Sequence, residues 1–286
     1  MSPMASGPAN PKSKPGPVGT GEGTLRLKWE AARLEAQLDS RRPPDDLPVF
    51  EELAELDAAP LQAAHRAALS PESALAEEFR VLRAKVRAIG EERAFRCIGI
   101  VSSSPAEGKT TVALGLASAM AHERDGRRVI LVEADLRKRS IARYLGFTPA
   151  SGLSEWLQAD SASPVPVRRL GPGGPFLLTA GLNGPPNPEV LASRRVTRLF
   201  EACRRCFDFV VVDCPPLTPV ADTVMLQELL DGFLLVVRAR RTTRDALVRA
   251  LSHLNRDRIQ GVVFNDHEQI LSGAYSYARS PYEYER

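Results

Sequence analysis

Cys97-Ile98-Gly99-Ile100-Val101-Ser102-Ser103-Ser104-Pro105-Ala106-Glu107-Gly108-Lys109-Thr110-Thr111 passes from an unbroken apolar run, through a loop of small residues, into an Ala- and Leu-rich segment. The apolar run suits a strand buried on both faces, and the segment after Gly108 opens a helix. Strand, loop and helix in that order form the setting a phosphate-binding loop requires. Backbone N–H groups at the helix N-terminus point at phosphate oxygens there, and the helix dipole favours negative charge. Ser104, Pro105, Ala106, Glu107, Gly108, Lys109, Thr110 and Thr111 are therefore the expected nucleotide-binding residues. Lys109 is placed to reach the β- and γ-phosphates, and the Thr110 hydroxyl to ligate Mg²⁺, so ATP and Mg²⁺ are the expected cofactors. Two positions depart from the common pattern, with Ser103 and Ala106 standing where Gly is usual. Gly meets the backbone angles of such a loop at less cost than either.

On both sides of this stretch the chain alternates. Strand candidates are 95–102, 128–132, 176–179, 209–212, 233–237 and 261–264, and helical stretches are 109–122, 188–206, 221–230 and 243–254. Continuous Val, Ile and Leu runs bounded by helices indicate a parallel sheet covered on both faces. The fold class is α/β, a doubly wound, mostly parallel sheet of the P-loop ATPase type with helices on both faces. Upstream, Ser70 is a candidate cap, with Pro71 and Glu72 suited to a first helical turn. Leu75, Phe79, Leu82, Val86 and Ile89 then recur at helical spacing up to Gly90. Glu77, Arg80 and Arg83 lie beside that stripe.

Two more strands run into acid. Val129–Val132 leads to Glu133-Ala134-Asp135, and 209–212 leads to Asp213-Cys214-Pro215-Pro216. Ligands of parallel sheets bind at the carboxyl ends of strands, so both tips fall on the edge that carries the phosphate loop. Asp213 and Asp135 are each suited to hold a metal-bound water, because Mg²⁺ takes octahedral oxygen and keeps several waters. Glu133 is the candidate general base, and Lys109, Glu133, Asp135 and Asp213 form the candidate catalytic set. An acidic residue after a strand also serves simply as a turn or helix cap.

Four of the five tyrosines, Tyr275, Tyr277, Tyr282 and Tyr284, crowd the C-terminal end. A phosphate-handling domain followed by clustered tyrosines suggests an enzyme that phosphorylates its own tail. A tyrosine has a pKa near 10 and needs a carboxylate to take its proton during transfer.

The 286 residues, 43% hydrophobic and 26% charged, fit a soluble globular chain. The organisation expected is a Pro/Gly-rich disordered segment and linker over 1–69, with a possible short helix at 25–38. A kinase-type domain follows over 70–270, then a flexible tail over 271–286. Residues 43–60, interrupted by Pro43, Pro44, Pro48 and Pro60, read as a linker or docking segment. A net charge of +3 is weak support for nucleic-acid binding, and none is expected. No apolar run approaches the roughly 18 residues that span a bilayer, and the N-terminus lacks a secretory pattern. A cytoplasmic location is expected. Cys203-Arg204-Arg205-Cys206 has no second Cys or His pair at metal spacing and reads as two half-buried residues on one helix face.

Taken together, these segments resemble the bacterial tyrosine kinases (BY-kinases) over roughly residues 70 to 286. Glu77-x-x-Arg80-x-x-Arg83 is similar to the family's E-x-x-R-x-x-R helix, which implies homo-oligomer contacts in a ring. Ser103 to Thr111 resembles its Walker A loop, and Val129 to Arg137 its D-x-D motif, with Glu133 in the first acidic place. Pro185-Pro186-Asn187-Pro188 resembles its P-P-N-P segment, Phe209 to Pro216 its Walker B strand, and the tail its tyrosine cluster. The resemblance implies autophosphorylation of the tail, in cis or in trans, in the control of capsule and exopolysaccharide polymerisation and export. It also implies a separate transmembrane polysaccharide co-polymerase that recruits and activates the chain at the inner membrane, and a phosphotyrosine phosphatase. Two other readings share the broad fold. A partition or positioning ATPase carries a Lys where Ser104 stands and often a Lys-rich membrane helix. A scaffold binds ATP without transferring phosphate.

Overall fold

The computed structural model describes residues 47–54, 56, 73–93, 95–122, 126–183, 188–218 and 222–266. The possible helix at 25–38, Ser70 to Glu72, most of the Pro-Pro-Asn-Pro segment and the four C-terminal tyrosines lie outside them.

Eight strands form one sheet: β1 (Phe50–Glu52), β2 (Cys97–Ser102), β3 (Val129–Glu133), β4 (Val165–Arg169), β5 (Phe176–Leu178), β6 (Phe209–Asp213), β7 (Gly232–Arg238) and β8 (Ile259–Asn265). Their spatial order is β1-β4-β5-β3-β6-β2-β7-β8, and every pairing is parallel except β4 with β5. The helices are α1 (Ala74–Arg93), α2 (Lys109–Ala121), α3 (Ile141–Leu145), α4 (Leu153–Gln158), α5 (Arg194–Cys206), α6 (Asp222–Leu226) and α7 (Arg244–Leu251).

The central strands are buried on both faces because each feeds two cores. In β6, Val210 and Val212 pack on one side with α4 and α5, while Phe209 and Val211 pack on the other with α1 and α2. β3 and β7 split in the same way. Burying each such side chain contributes about 1.5–3 kcal/mol, which is why these runs are apolar throughout rather than alternating. Helix α2 is buried nearly all round, and Gly115 lets it approach α1. A Cβ at Gly115 would lie 2.2 Å from the Phe79 ring.

Several elements differ from the sequence expectations. Helix α1 is capped by Ser73, whose hydroxyl accepts from Ala76 N at 2.9 Å. It runs through Gly90 to Arg93, and Gly90 is used instead for close packing, since a Cβ there would meet the Phe95 carbonyl oxygen at 3.2 Å. The 188–206 stretch is broken at Ser193, which ends a 3₁₀ turn and caps α5. Within the stretch expected to be a linker or docking segment, Phe50–Glu52 joins the sheet as an edge strand beside β4, and Leu47 and Phe50 are buried in the core. Only three residues pair, across more than a hundred intervening ones, and Pro48 precedes them, so no local pattern marks this strand. No helix among the described residues is long and apolar enough to cross a membrane.

Candidate functional site

The carboxyl ends of β2, β3 and β6 meet at the sheet centre. Strand β2 ends in the loop Ser103–Gly108, which opens α2. Register pairs Glu133 at the end of β3 with Asp213 at the end of β6, and the amides of Ala134 and Asp135 both donate to the Asp213 carbonyl. Asp135 is thereby swung over the loop.

Lys109, Thr110, Asp135 and Asp213 form one buried cluster. Lys109 Nζ donates to Asp135 Oδ2 at 2.9 Å and lies 3.7 Å from Asp213 Oδ1. Thr110 Oγ1 donates to Asp213 Oδ2 at 2.7 Å. Burial pushes the Asp213 carboxyl up from its ordinary range, opposed by Lys109 and Thr110. Burial works to lower the Lys109 pKa, but the two carboxylates outweigh it and the net shift is upward, so the ammonium stays charged. Asp213 Oδ1 is buried without a hydrogen-bond partner. An orphaned carboxylate oxygen beside a threonine hydroxyl and a second carboxylate is an all-oxygen donor set, which suits Mg²⁺. An ion held there by Thr110 and Asp213 would supply charge neutralisation at the phosphates of a bound nucleotide.

Glu133 is placed differently from the sequence expectation of a general base. Both its oxygens are taken by backbone amides. Oε1 accepts from Ser140 and Ile141, the latter at 2.8 Å, and Oε2 accepts from Ala180 at 2.9 Å. It anchors the start of α3 and the end of β5 beneath the site. Burial pushes its carboxyl up to about 7, against the pull of the three amides. A pKa near 7 suits a base, but reach decides before pKa does, and this carboxylate is turned into the fold.

That shift has a stability consequence. A carboxyl raised from 4.5 to about 7 on folding binds more protons folded than unfolded between those values. Stability therefore falls as pH rises through that window, by up to about 3 kcal/mol at roughly 1.4 kcal/mol per unit. Glu133→Gln is expected to flatten this slope in urea titrations run from pH 5 to pH 8. An unchanged slope would assign the titration elsewhere.

The phosphate loop is braced from within and by Thr242, Arg238, Asn265 and Asp266, which the sequence did not single out. Ser103 Oγ donates to Glu107 Oε1 at 2.8 Å, Ser104 N donates to Glu107 Oε2 at 3.0 Å, and Thr242 Oγ1 donates to Glu107 Oε1 at 2.6 Å. Glu107 is thus a buried internal strut, and the departure from Gly at Ser103 has a function, because its hydroxyl holds that strut. Arg238 donates to the Ala106 carbonyl at 3.0 Å and pairs with Asp266 at 2.8 Å. Asn265 Nδ2 donates to the Glu107 carbonyl at 2.8 Å. It also requires Gly at 108, where φ is +97° and a Cβ would lie 1.9 Å from that nitrogen. These braces sit at or just past the ends of β7 and β8, on the ligand edge of the sheet, and that placement was the available signal.

The second departure from Gly carries strain. Ala106 has φ 64°, in the left-handed region. Ala106→Gly is expected to raise stability by up to about 1 kcal/mol, read as a higher midpoint in thermal unfolding. A lower midpoint would mean that unfolded-state entropy outweighs the strain.

Of the residues expected at an oligomer contact, Arg83 turns inward and donates to the Ala119 carbonyl of α2 at 2.9 Å, while Arg80 pairs on the surface with Glu77 at 2.6 Å. Cys203 is buried and Cys206 half-buried, both free thiols on α5.

Comparison with known proteins agrees with this fold. A family model described as ATPase MipZ matches residues 98–230, the segment from the phosphate-loop strand to just short of β7. The tyrosine-protein kinase YwqD of Bacillus subtilis is 30% identical over 211 residues, covering 72% of this chain and 87% of its own length. The succinoglycan biosynthesis transport protein ExoP of Rhizobium meliloti is 33% identical over 213 residues, which cover 72% of this chain but only 27% of ExoP. The solved kinase domain of Escherichia coli tyrosine kinase ETK superposes with a TM-score of 0.66 at 25% identity, over 84% of this chain and 97% of that domain.

Proposed function

Because the chain belongs to the bacterial tyrosine-kinase family, we propose that it is an ATP-dependent protein-tyrosine autokinase whose substrate is its own tyrosine cluster. The observation that carries this is the Lys109–Asp135–Asp213–Thr110 cluster at the mouth of the phosphate loop, in a chain that ends with Tyr275, Tyr277, Tyr282 and Tyr284.

Before ATP arrives, Lys109 is neutralised by the two carboxylates. Phosphates of bound ATP compete for the ammonium, and Lys109 then leaves Asp135. Asp135 becomes an unpaired carboxylate next to the transferring group, and it is the acceptor for the phenol proton in place of Glu133. In the transfer step the bond between the γ-phosphorus and the β,γ-bridging oxygen breaks. A bond from that phosphorus to the tyrosine oxygen forms, and the proton passes to Asp135. Loop amides and Lys109 stabilise charge on the phosphoryl oxygens, while Thr110 and Asp213 hold Mg²⁺. Ser104, Pro105, Ala106, Glu107, Gly108 and Thr111 complete the nucleotide cradle, with Glu107 acting as its internal strut.

The names of the relatives, a succinoglycan transport protein among them, support a role in exopolysaccharide or capsule polymerisation and export. In that role the chain works at the cytoplasmic face of the inner membrane through a transmembrane co-polymerase partner, and a phosphatase resets it. Glu77 and Arg80, exposed on α1, are the residues offered for contact between copies in a ring, with Arg83 positioning α1 on α2. Nucleic acid has no part in this reading.

Incubating purified chain with γ-labelled ATP and Mg²⁺ tests it. Label on tyrosine supports the kinase, whereas ATP turnover with label only in free phosphate would favour the positioning-ATPase reading.

A further inference from the structure

A cavity of about 500 Å³ lies away from the phosphate loop and shares no residue with it. Its walls come from Pro48 and Val49 ahead of β1, from Trp156 of α4, and from Arg194, Arg195 and Arg198 at the start of α5. The Arg195 guanidinium lies over the Trp156 ring at 4.3 Å and donates to the carbonyls of Ala159 and Asp160. Three arginines within the first turn and a half of a helix oppose its dipole, which favours anions at that end, and the first turn of α5 holds no acidic residue. Guanidinium groups set here present forked donors to an anion entering the cavity. The opposite wall is apolar. The cavity is therefore built for a group with an apolar body and an anionic head.

We propose that this cavity binds phosphotyrosine of the chain's own tail, the ring against Pro48 and Val49 and the phosphate on Arg194 and Arg198. The ligand's identity rests on the kinase reading. Charge makes the binding conditional on phosphorylation. Residues 272–286 carry two arginines, Arg279 and Arg286, against two glutamates, Glu283 and Glu285, so the unmodified segment offers no net attraction. Each phosphate adds about −1.5 to −2 charges. Reach is sufficient. Strand β8, from which the tail departs, and β1, beside the cavity, are opposite edges of the sheet, about 34 Å apart at roughly 4.8 Å per strand. Tyr282 lies sixteen positions after Asp266, a span of up to about 55 Å when extended.

The test is titration of the full chain carrying Trp29→Phe, which leaves Trp156 as the only indole, with synthetic peptides of residues 278–286. One peptide is phosphorylated on Tyr282 and the other is unmodified. The expected result is a change in Trp156 emission, with the phosphopeptide binding at least about tenfold more tightly than the unmodified peptide. Arg194→Ala and Arg198→Ala together are expected to weaken it by a further tenfold or more, with ATP binding unchanged. Equal binding of the two peptides, or phosphopeptide binding that survives both substitutions, would overturn the proposal. Displacement by inorganic phosphate at the same concentration as the phosphopeptide would also overturn it, by reducing the cavity to a bare anion site. Because the peptide is synthetic, a chain that binds it but makes no phosphotyrosine would contradict the kinase reading and leave the cavity's ligand class standing.

Discussion

Lys109→Met is expected to reduce tyrosine phosphorylation by about a thousandfold or more, the scale of losing a charged donor to a transferring group in a closed site. It is also expected to destabilise the fold. Lys109 is the cation that lies against both Asp135 and Asp213, and all three side chains are almost fully buried. Removing it leaves two facing carboxylates, a loss of about 3–5 kcal/mol, unless one of them takes a proton. The two effects separate in the double variant Lys109→Met with Asp135→Asn. Removing one of the stranded charges should restore most of the stability, measured by urea unfolding at neutral pH. Phosphorylation should stay absent. If the double variant regained activity, neither Lys109 as phosphate ligand nor Asp135 as proton acceptor would stand.

Asp213→Asn should give the opposite division, with activity lost and the fold kept. The side chain is fully buried, accepts from Thr110, and leaves Oδ1 without a hydrogen-bond partner. Asparagine keeps that shape and the bond from Thr110. Burial raises the carboxyl's pKa in the fold, so the ionised form costs stability increasingly as pH rises above the ordinary carboxylate range. Removing that charge is therefore expected to leave the unfolding midpoint unchanged or slightly higher at neutral pH. Metal binding depends on the charge. Phosphorylation at saturating ATP should fall by about a hundred- to a thousandfold, and the rate should no longer rise with Mg²⁺ through the range where the wild type responds. A variant that retained a normal Mg²⁺ response would place the metal elsewhere than at Thr110 and Asp213.

The parts of the molecule that could be read in advance are those where local pattern and tertiary role coincide. Strands β2, β3, β6 and β7 are apolar throughout because two cores use them, and that run survives in the sequence. Strand β4, Val165-Pro166-Val167-Arg168-Arg169, carries a proline and two arginines, and β1 pairs only three residues. Both are made strands by their partners, so neither was visible. Helices α3 and α4 are too short for a periodic signal. At the site, Lys109, Thr110, Asp135 and Asp213 were legible because sheet topology brings strand ends to one edge. Which way a side chain turns at a strand end was not. Glu133 shares its strand face with Val129 and Leu131, and its oxygens are spent on three amides whose positions depend on α3 and β5. The loop residue Glu107 looked like part of a nucleotide cradle. Its strut role needed Thr242, which arrives from more than a hundred residues away.

The most direct test of the account is residue-resolved mass spectrometry of the purified full chain after incubation with Mg-ATP, beside Lys109→Met and a chain lacking residues 272–286. Phosphate is expected on Tyr275, Tyr277, Tyr282 and Tyr284 in the wild type, with none in Lys109→Met and none in the truncated chain, which should still bind ATP. ATP binding by a wild type that acquires no phosphotyrosine, or phosphotyrosine that persists in Lys109→Met, would contradict it.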